Sequence, residues 1–196
     1  MKREAKTEEI YRAALKTFAE YGFRKTTIED IAAALGVANG TLYLYAENKR
    51  VLYHKAVAWS FGIWQSRVRA AVAEVSGPLL KLDVITHKSF EYLAEDKSLR
   101  KILEKDPDLF PFIPSKDPFS EINRESVLML KDILSEGVAE GIFEIPDIDA
   151  VAKFMFSIYV MFIQKTYVAA EGEEAGHIFE QAIQLIMRGL IKHKEI

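Results

Sequence analysis

Apolar residues recur at spacings of three and four along almost the whole chain, the period of helices with one buried face. Ile10, Ala14, Phe18 and Tyr21 form one stripe with Gly22 behind it, which predicts a helix over 7–21. Ile28, Ile31, Ala32 and Leu35 form a second, two turns long, ended by Gly36. Thr26 or Thr27 can cap it, and Thr26-x-x-Glu29 has the spacing of a capping box. Val37 fills a turn, and a second short helix carries Leu42 inward with Thr41, Tyr43, Leu44 and Tyr45 around it. Ala32, four residues before Gly36, is small enough to let these two helices cross closely. Asn48 caps a helix that can run from Lys49 to Val75, about 40 Å. Ser76-Gly77-Pro78 breaks it.

The remaining pattern predicts helices over about 79–96, 97–105, 118–140, from Asp147 onward, and from about 176 to 192. Between the second and third of these helices, residues 106–118 hold four of the six prolines, so no helix runs through them. Asp117-Pro118 reads as a cap followed by proline at the first helical position. No alternating pattern exceeds Ile142–Ile145. The fold class is therefore all-α: an N-terminal three-helix domain over 1–47 and a C-terminal helical domain over 48–196, about nine helices in total. From Phe154 to Ile163 only Ser157 is polar, so that helix has two surfaces to bury, a core and something further. Lys153 and Lys165 bracket too short a run to span a bilayer, which needs roughly 20 apolar residues.

Composition narrows the picture. The chain has 196 residues and no cysteine, which removes disulfides and thiolate metal sites and suits a reducing cytoplasm. Met1-Lys2-Arg3 has no apolar run behind it, so no signal peptide is expected. The net charge is −3, but residues 1–55 hold ten Lys/Arg against seven Asp/Glu, and the remainder is acidic. Basic charge thus collects where two helices cross about a tight turn, the helix-turn-helix arrangement whose second helix enters the DNA major groove.

These residues resemble the DNA-binding domain of the tetracycline-repressor-like (TetR) family of bacterial transcription regulators. The likeness rests on Ala14, Phe18, Gly22-Phe23, Thr26-Thr27-Ile28, Asp30-Ile31-Ala32, Gly36-Val37, Gly40-Thr41-Leu42-Tyr43, Tyr45 and Lys49, in ungapped order. Beyond them the chain resembles the family in length and helical character only. Three positions depart from its usual pattern. Ala38 stands where a serine precedes the recognition helix, which passes the cap to Asn39. Ala46 replaces a phenylalanine, and Arg50 follows Lys49 in place of an acidic residue. The resemblance implies a DNA-binding regulator whose C-terminal domain binds an effector and dimerises through four helices.

Candidate DNA-contacting residues are Thr27, Asn39, Thr41, Tyr43, Leu44, Tyr45 and Lys49. Hydroxyls suit phosphate oxygens, Asn39 an adenine edge and Leu44 a thymine methyl, with Thr27 and Lys49 holding phosphates on either side. Candidate pocket residues are Trp64, Phe90, Tyr92, Phe110, Phe112, Met129, Tyr159 and Phe162, with a modest polar supply in His87, Ser89, Ser126 and Gln164. An apolar or aromatic effector fits such a lining. Phe154, Ile158, Ile183 and Ile186 are the candidate dimer surface, although an ordinary core accounts for them equally. The four histidines are scattered, with no i, i+4 pair, and neither a glycine-rich phosphate loop nor a Gly-x-Ser-x-Gly elbow occurs. Neither catalysis, a cofactor nor a metal site is expected. The partners expected are double-stranded operator DNA, a second copy of the chain and a small-molecule effector of unknown identity, with no membrane. Two alternatives remain: a DNA-binding dimer without an effector, and a helical small-molecule binder that does not engage DNA.

Overall fold

The computed structural model of the chain describes residues 2–106, 109, 118–168 and 172–192. Nine helices are found among them: α1 (Lys2–Tyr21), α2 (Ile28–Leu35), α3 (Asn39–Tyr43), α4 (Lys49–Ala73), α5 (Pro78–Glu95), α6 (Lys97–Lys105), α7 (Ser120–Ala139), α8 (Ile148–Ile163) and α9 (Gly172–Leu190). A π-helical turn, Gln164–Val168, continues α8. Such wide turns leave one residue more than the α pattern per turn and are rare; nothing in the apolar spacing predicts it. Among the described residues the only β pairing is the isolated bridge Phe143–Ile191.

Local chemistry sets most boundaries. Asn48 accepts from the Val51 amide and Asp147 from the Ala150 amide, each capping the helix it precedes. Asp96 accepts from the Ser98 and Leu99 amides at the start of α6. Pro78 occupies the first turn of α5, where its missing N–H costs nothing. At the end of α7 the chain reverses over Gly137, whose carbonyl accepts from the Ile142 and Phe143 amides. The Phe143 ring then lies on Gly137 so closely that a Cβ there would sit 2.0 Å from a ring carbon. Glu144 N–H to Leu190 O and Lys192 N–H to Ile142 O tie the end of α9 to this reversal, both at 2.9 Å.

Two main cores form, and α4 belongs to both. The first gathers Ile10 and Phe18 of α1, Ile31 of α2, Leu42 of α3, Leu52 and Tyr53 of α4, and Leu99, Ile102 and Leu103 of α6. The second holds Val68 and Val72 of α4 with Leu82, Leu134, Met155 and Leu190 from α5, α7, α8 and α9. The first core therefore runs past residue 47. Polar contacts reinforce it: Lys105 Nζ donates to the Ala19 and Glu20 carbonyls at the end of α1 (2.7 and 2.9 Å), the Tyr53 hydroxyl donates to Asp106 (2.8 Å), and the Ser60 hydroxyl donates to Asp96 (3.0 Å). A cation at the C-terminal end of α1 also suits the negative end of the helix dipole.

Candidate functional site

The helix-turn-helix is built almost wholly from contacts between near neighbours. The capping box is shifted by one residue from the expected Thr26/Glu29 pair. Thr27 Oγ1 accepts from the Asp30 amide (3.1 Å), and Asp30 Oδ2 accepts from the Thr27 amide (2.8 Å) and hydroxyl (2.7 Å). Those bonds, the hydroxyl's first, hold the Asp30 carboxyl below its ordinary value. Thr26 is displaced because its side chain turns inward: it is fully buried and donates to the Gly22 carbonyl. Gly36, at φ 66°, supplies the left-handed residue that ends α2, and its amide and that of Val37 bond back to the Ala32 carbonyl. The turn then enters α3 at Ala38, which has no side chain to cap it. Asn39 does not take over the cap. Lying inside the helix, it donates instead to Glu29 of α2 (3.3 Å).

Leu42 plugs α3 into the first core, 1% exposed, which turns its neighbours outward: Tyr43 is 54% and Leu44 78% exposed. Thr27 and Asn39 are also exposed, whereas Thr41 and Tyr45 are half-buried and Tyr45 packs on the first core. Lys49 differs most from expectation. Its Nζ donates to the carbonyls of Phe23 (2.9 Å), Thr26 (2.9 Å) and Arg24 (3.4 Å) and sits 4.6 Å over the Phe23 ring. It braces the turn before α2 and is not a free cation for phosphate. Arg24 and Lys25, within that turn, and Arg50 are basic side chains exposed to solvent there. Arg24 and Lys25 were not singled out in the sequence, since single basic residues in a turn carry no periodic signal. Ala46, in place of a large side chain, is itself buried.

At the other end of α4 a cavity of about 50 Å³ opens among α4, α5, α7, α8 and α9. Trp64, Met129 and Tyr159 line it as expected, with Ser89 and Ser126 among the polar groups. Phe90, Tyr92 and Phe162 do not. Phe90 stands behind Tyr159 and against Phe179, Phe162 is buried against Phe179, and Tyr92 lies under the Arg67 guanidinium, 3.9 Å from its ring centre. Phe110 and Phe112 lie outside the described residues. Ile183 of α9, expected at a dimer surface, lines the cavity instead, and Ile158 packs on the cluster around Phe162 and Phe179. Ile186 packs against the second core, whereas Phe154 remains 56% exposed. Sequence reasoning missed Met155 and Ile163, although they flank Tyr159 at i−4 and i+4 on one stripe of α8. The Trp64 ring stacks on Tyr159 and its Nε1 donates to the Ser89 carbonyl (2.9 Å). Gln65 Nε2 donates to the Ile122 carbonyl (2.9 Å) and the Ser126 hydroxyl (2.7 Å), joining α4 to α7. Among the described residues no charged side chain lines this cavity, and no cluster of His, Asp and Glu could hold a metal ion. None of the described helices is long and apolar enough to cross a membrane.

The sequence model of bacterial regulatory proteins of the tetR family matches residues 10–56, which span α2, α3 and the parts of α1 and α4 that bury them. Over 191 residues the chain is 26% identical to the HTH-type transcriptional repressor KstR2 of Mycolicibacterium smegmatis, covering 95% of this chain and 91% of that protein. It is 27% identical over 139 residues to the fatty acid metabolism regulator protein of Bacillus subtilis, 71% of each chain. The crystal structure of Bacillus subtilis FadR in complex with stearoyl-CoA superposes with a TM-score of 0.75 at 24% identity, covering 92% of this chain and 97% of that one, a likeness of fold. The capped two-helix turn thus carries the sequence pattern of the tetR family's regulatory proteins over residues 10–56, and the helical frame around it is similar to these relatives.

Proposed function

We propose that this protein is a homodimeric repressor that leaves its operator when a small apolar molecule enters the cavity. Residues 1–47 read DNA, and residues 48–196 bind the effector and pair the subunits. One observation carries the reading. The 25-residue α4 has its first turns in the core that seats α3 and its later turns in the cavity wall. Movement of either end is therefore felt at the other. Tyr43 and Leu44 project from α3 as base-reading and groove-filling side chains, with Asn39 and Thr27 at the flanks. Exposed Phe154 and Met161 on α8 and Ile178 and Leu185 on α9 supply the apolar face of a two-helix-per-subunit interface. Two recognition helices held about 34–36 Å apart then meet successive major grooves.

The names of the relatives favour repression and an acyl or comparably apolar effector. Such a molecule exceeds the roughly 50 Å³ of free space, so its entry must separate the helices around it, α4 included. Differential affinity for that opened state is what releases DNA.

The test is a mobility-shift titration on DNA flanking the gene, across a salt series, with and without acyl compounds. Binding that outlasts competitor DNA, weakens steeply with salt and is relieved by ligand is the expected result. Replacing Tyr43 with Ala should lower operator affinity roughly 10- to 100-fold with subunit association unchanged. Unaltered affinity would remove α3 as the reading helix. The small cavity favours a second reading, a DNA-binding dimer without an effector; failure of every acyl compound to release the operator would select it.

A further inference from the structure

Among the described residues, one buried polar atom of the cavity has no partner. The Tyr159 hydroxyl is fully buried and has no hydrogen-bond partner, although its ring lines the cavity and stacks on Trp64. Ser89 of α5 lies beside it without completing a bond. Nearby, the Thr86 hydroxyl donates to Leu82 O, the Ser89 carbonyl accepts from Trp64, and Gln65 Nε2 donates to Ile122 and Ser126. A buried hydroxyl without a partner is destabilising, and native chains retain one where something else supplies the partner. We propose that Tyr159 is the polar anchor of the cavity, donating its hydroxyl to the carbonyl oxygen of a neutral ligand.

Two features define the ligand class. Burial pushes the Tyr159 phenol above its ordinary value, so the group stays protonated and acts as a donor. Among the described residues no Lys or Arg lines the cavity to balance an anion, and an unpaired ion taken into such a lining is strongly disfavoured. The ligand is therefore a ketone, ester or thioester carried on an apolar body, and not an ionised carboxylic acid with its carboxylate inside. This inference rests on the effector-cavity reading above and adds its chemical specificity.

The test uses the full chain in a Trp59→Phe background, so that Trp64, the other of the two tryptophans, reports alone. Its fluorescence is titrated at neutral pH with 2-octanone, octane and octanoate. The ketone should bind at least about tenfold more tightly than either. Tyr159→Phe keeps the ring and its stacking; it should bring the ketone down to the affinity of octane and leave octane unchanged, which also shows that the variant is folded. Equal ketone affinity with and without the hydroxyl overturns the anchor, as does parallel loss of ketone and octane, or octanoate binding as well as the ketone. In all three cases the effector cavity itself stands. Failure of all three probes to bind the parent protein removes both the cavity reading and the anchor.

Discussion

Around the α2–α3 turn, polar side chains find partners within a few residues: Thr26 with Gly22, Thr27 with Asp30. In the cavity several partners are remote or missing. Trp64 reaches Ser89, Gln65 reaches Ser126 across 61 positions, and the Tyr159 hydroxyl has no hydrogen-bond partner among the described residues. The first region is specified largely by short-range chemistry. The second is assembled from five helices, and its shape depends on how each is rotated. A locally specified reader joined to a wall assembled from five helices suits a ligand-responsive regulator, in which a ligand acts through its differential affinity for two arrangements of the wall.

Several substitutions would break or sharpen that contrast. The largest effect is expected from Leu42→Ala, which empties a fully packed site under α3 and should cost about 2–5 kcal/mol in urea unfolding. Its neighbour Tyr43, exposed, should tolerate Ala within about 0.5 kcal/mol. If both cost the same, α3 is not seated as described. Gly137→Ala drives a methyl into the Phe143 ring and should destabilise by about 1–3 kcal/mol through the second core. Thr27→Ala removes the cap of α2 for about 1 kcal/mol, and an effect near zero would show that tertiary packing alone holds the reader.

The smallest effect concerns pH. Burial, then the nearby Arg50, holds His54 below its ordinary value of 6.5, with Asp106 opposing. The folded protein then takes up this proton less readily than the unfolded chain. The stabilising contribution is complete above pH 6.5 and is lost as pH falls through the folded value. His54→Gln should flatten that portion of the stability profile, measured by thermal unfolding at a series of pH values.

The same contrast explains what could be read from the chain. Gly36, Asn48, Asp147 and the stripe ending in Leu35 act over three or four residues, so their roles are visible in order along the sequence. Two neighbouring threonines compete for one cap, and only burial of Thr26 decides for Thr27. Lys49 looks like a phosphate contact until the turn 26 residues earlier folds back and presents its carbonyls. For the cavity, large apolar side chains mark the neighbourhood and not the lining. Phe90 and Tyr159 are both aromatic and in contact, yet only one faces inward. Ile183 and Phe154 both looked like interface, and the rotation of their helices separates them.

The fastening of α6 beneath α1 bears on any attempt to transplant the reader between regulators. A chimera cut at residue 47, or even after residue 56, would leave behind Leu99, Ile102 and Leu103, which wall the N-terminal core. It would also lose the Lys105 ammonium over the last carbonyls of α1 and the carboxylate that receives the Tyr53 phenol. The portable piece is discontinuous: residues 1–61 together with a docked helix some forty positions further on, supplied either by the recipient or as a grafted peptide. Specificity can thus be exchanged among such proteins only where the recipient's sixth helix fits the incoming first.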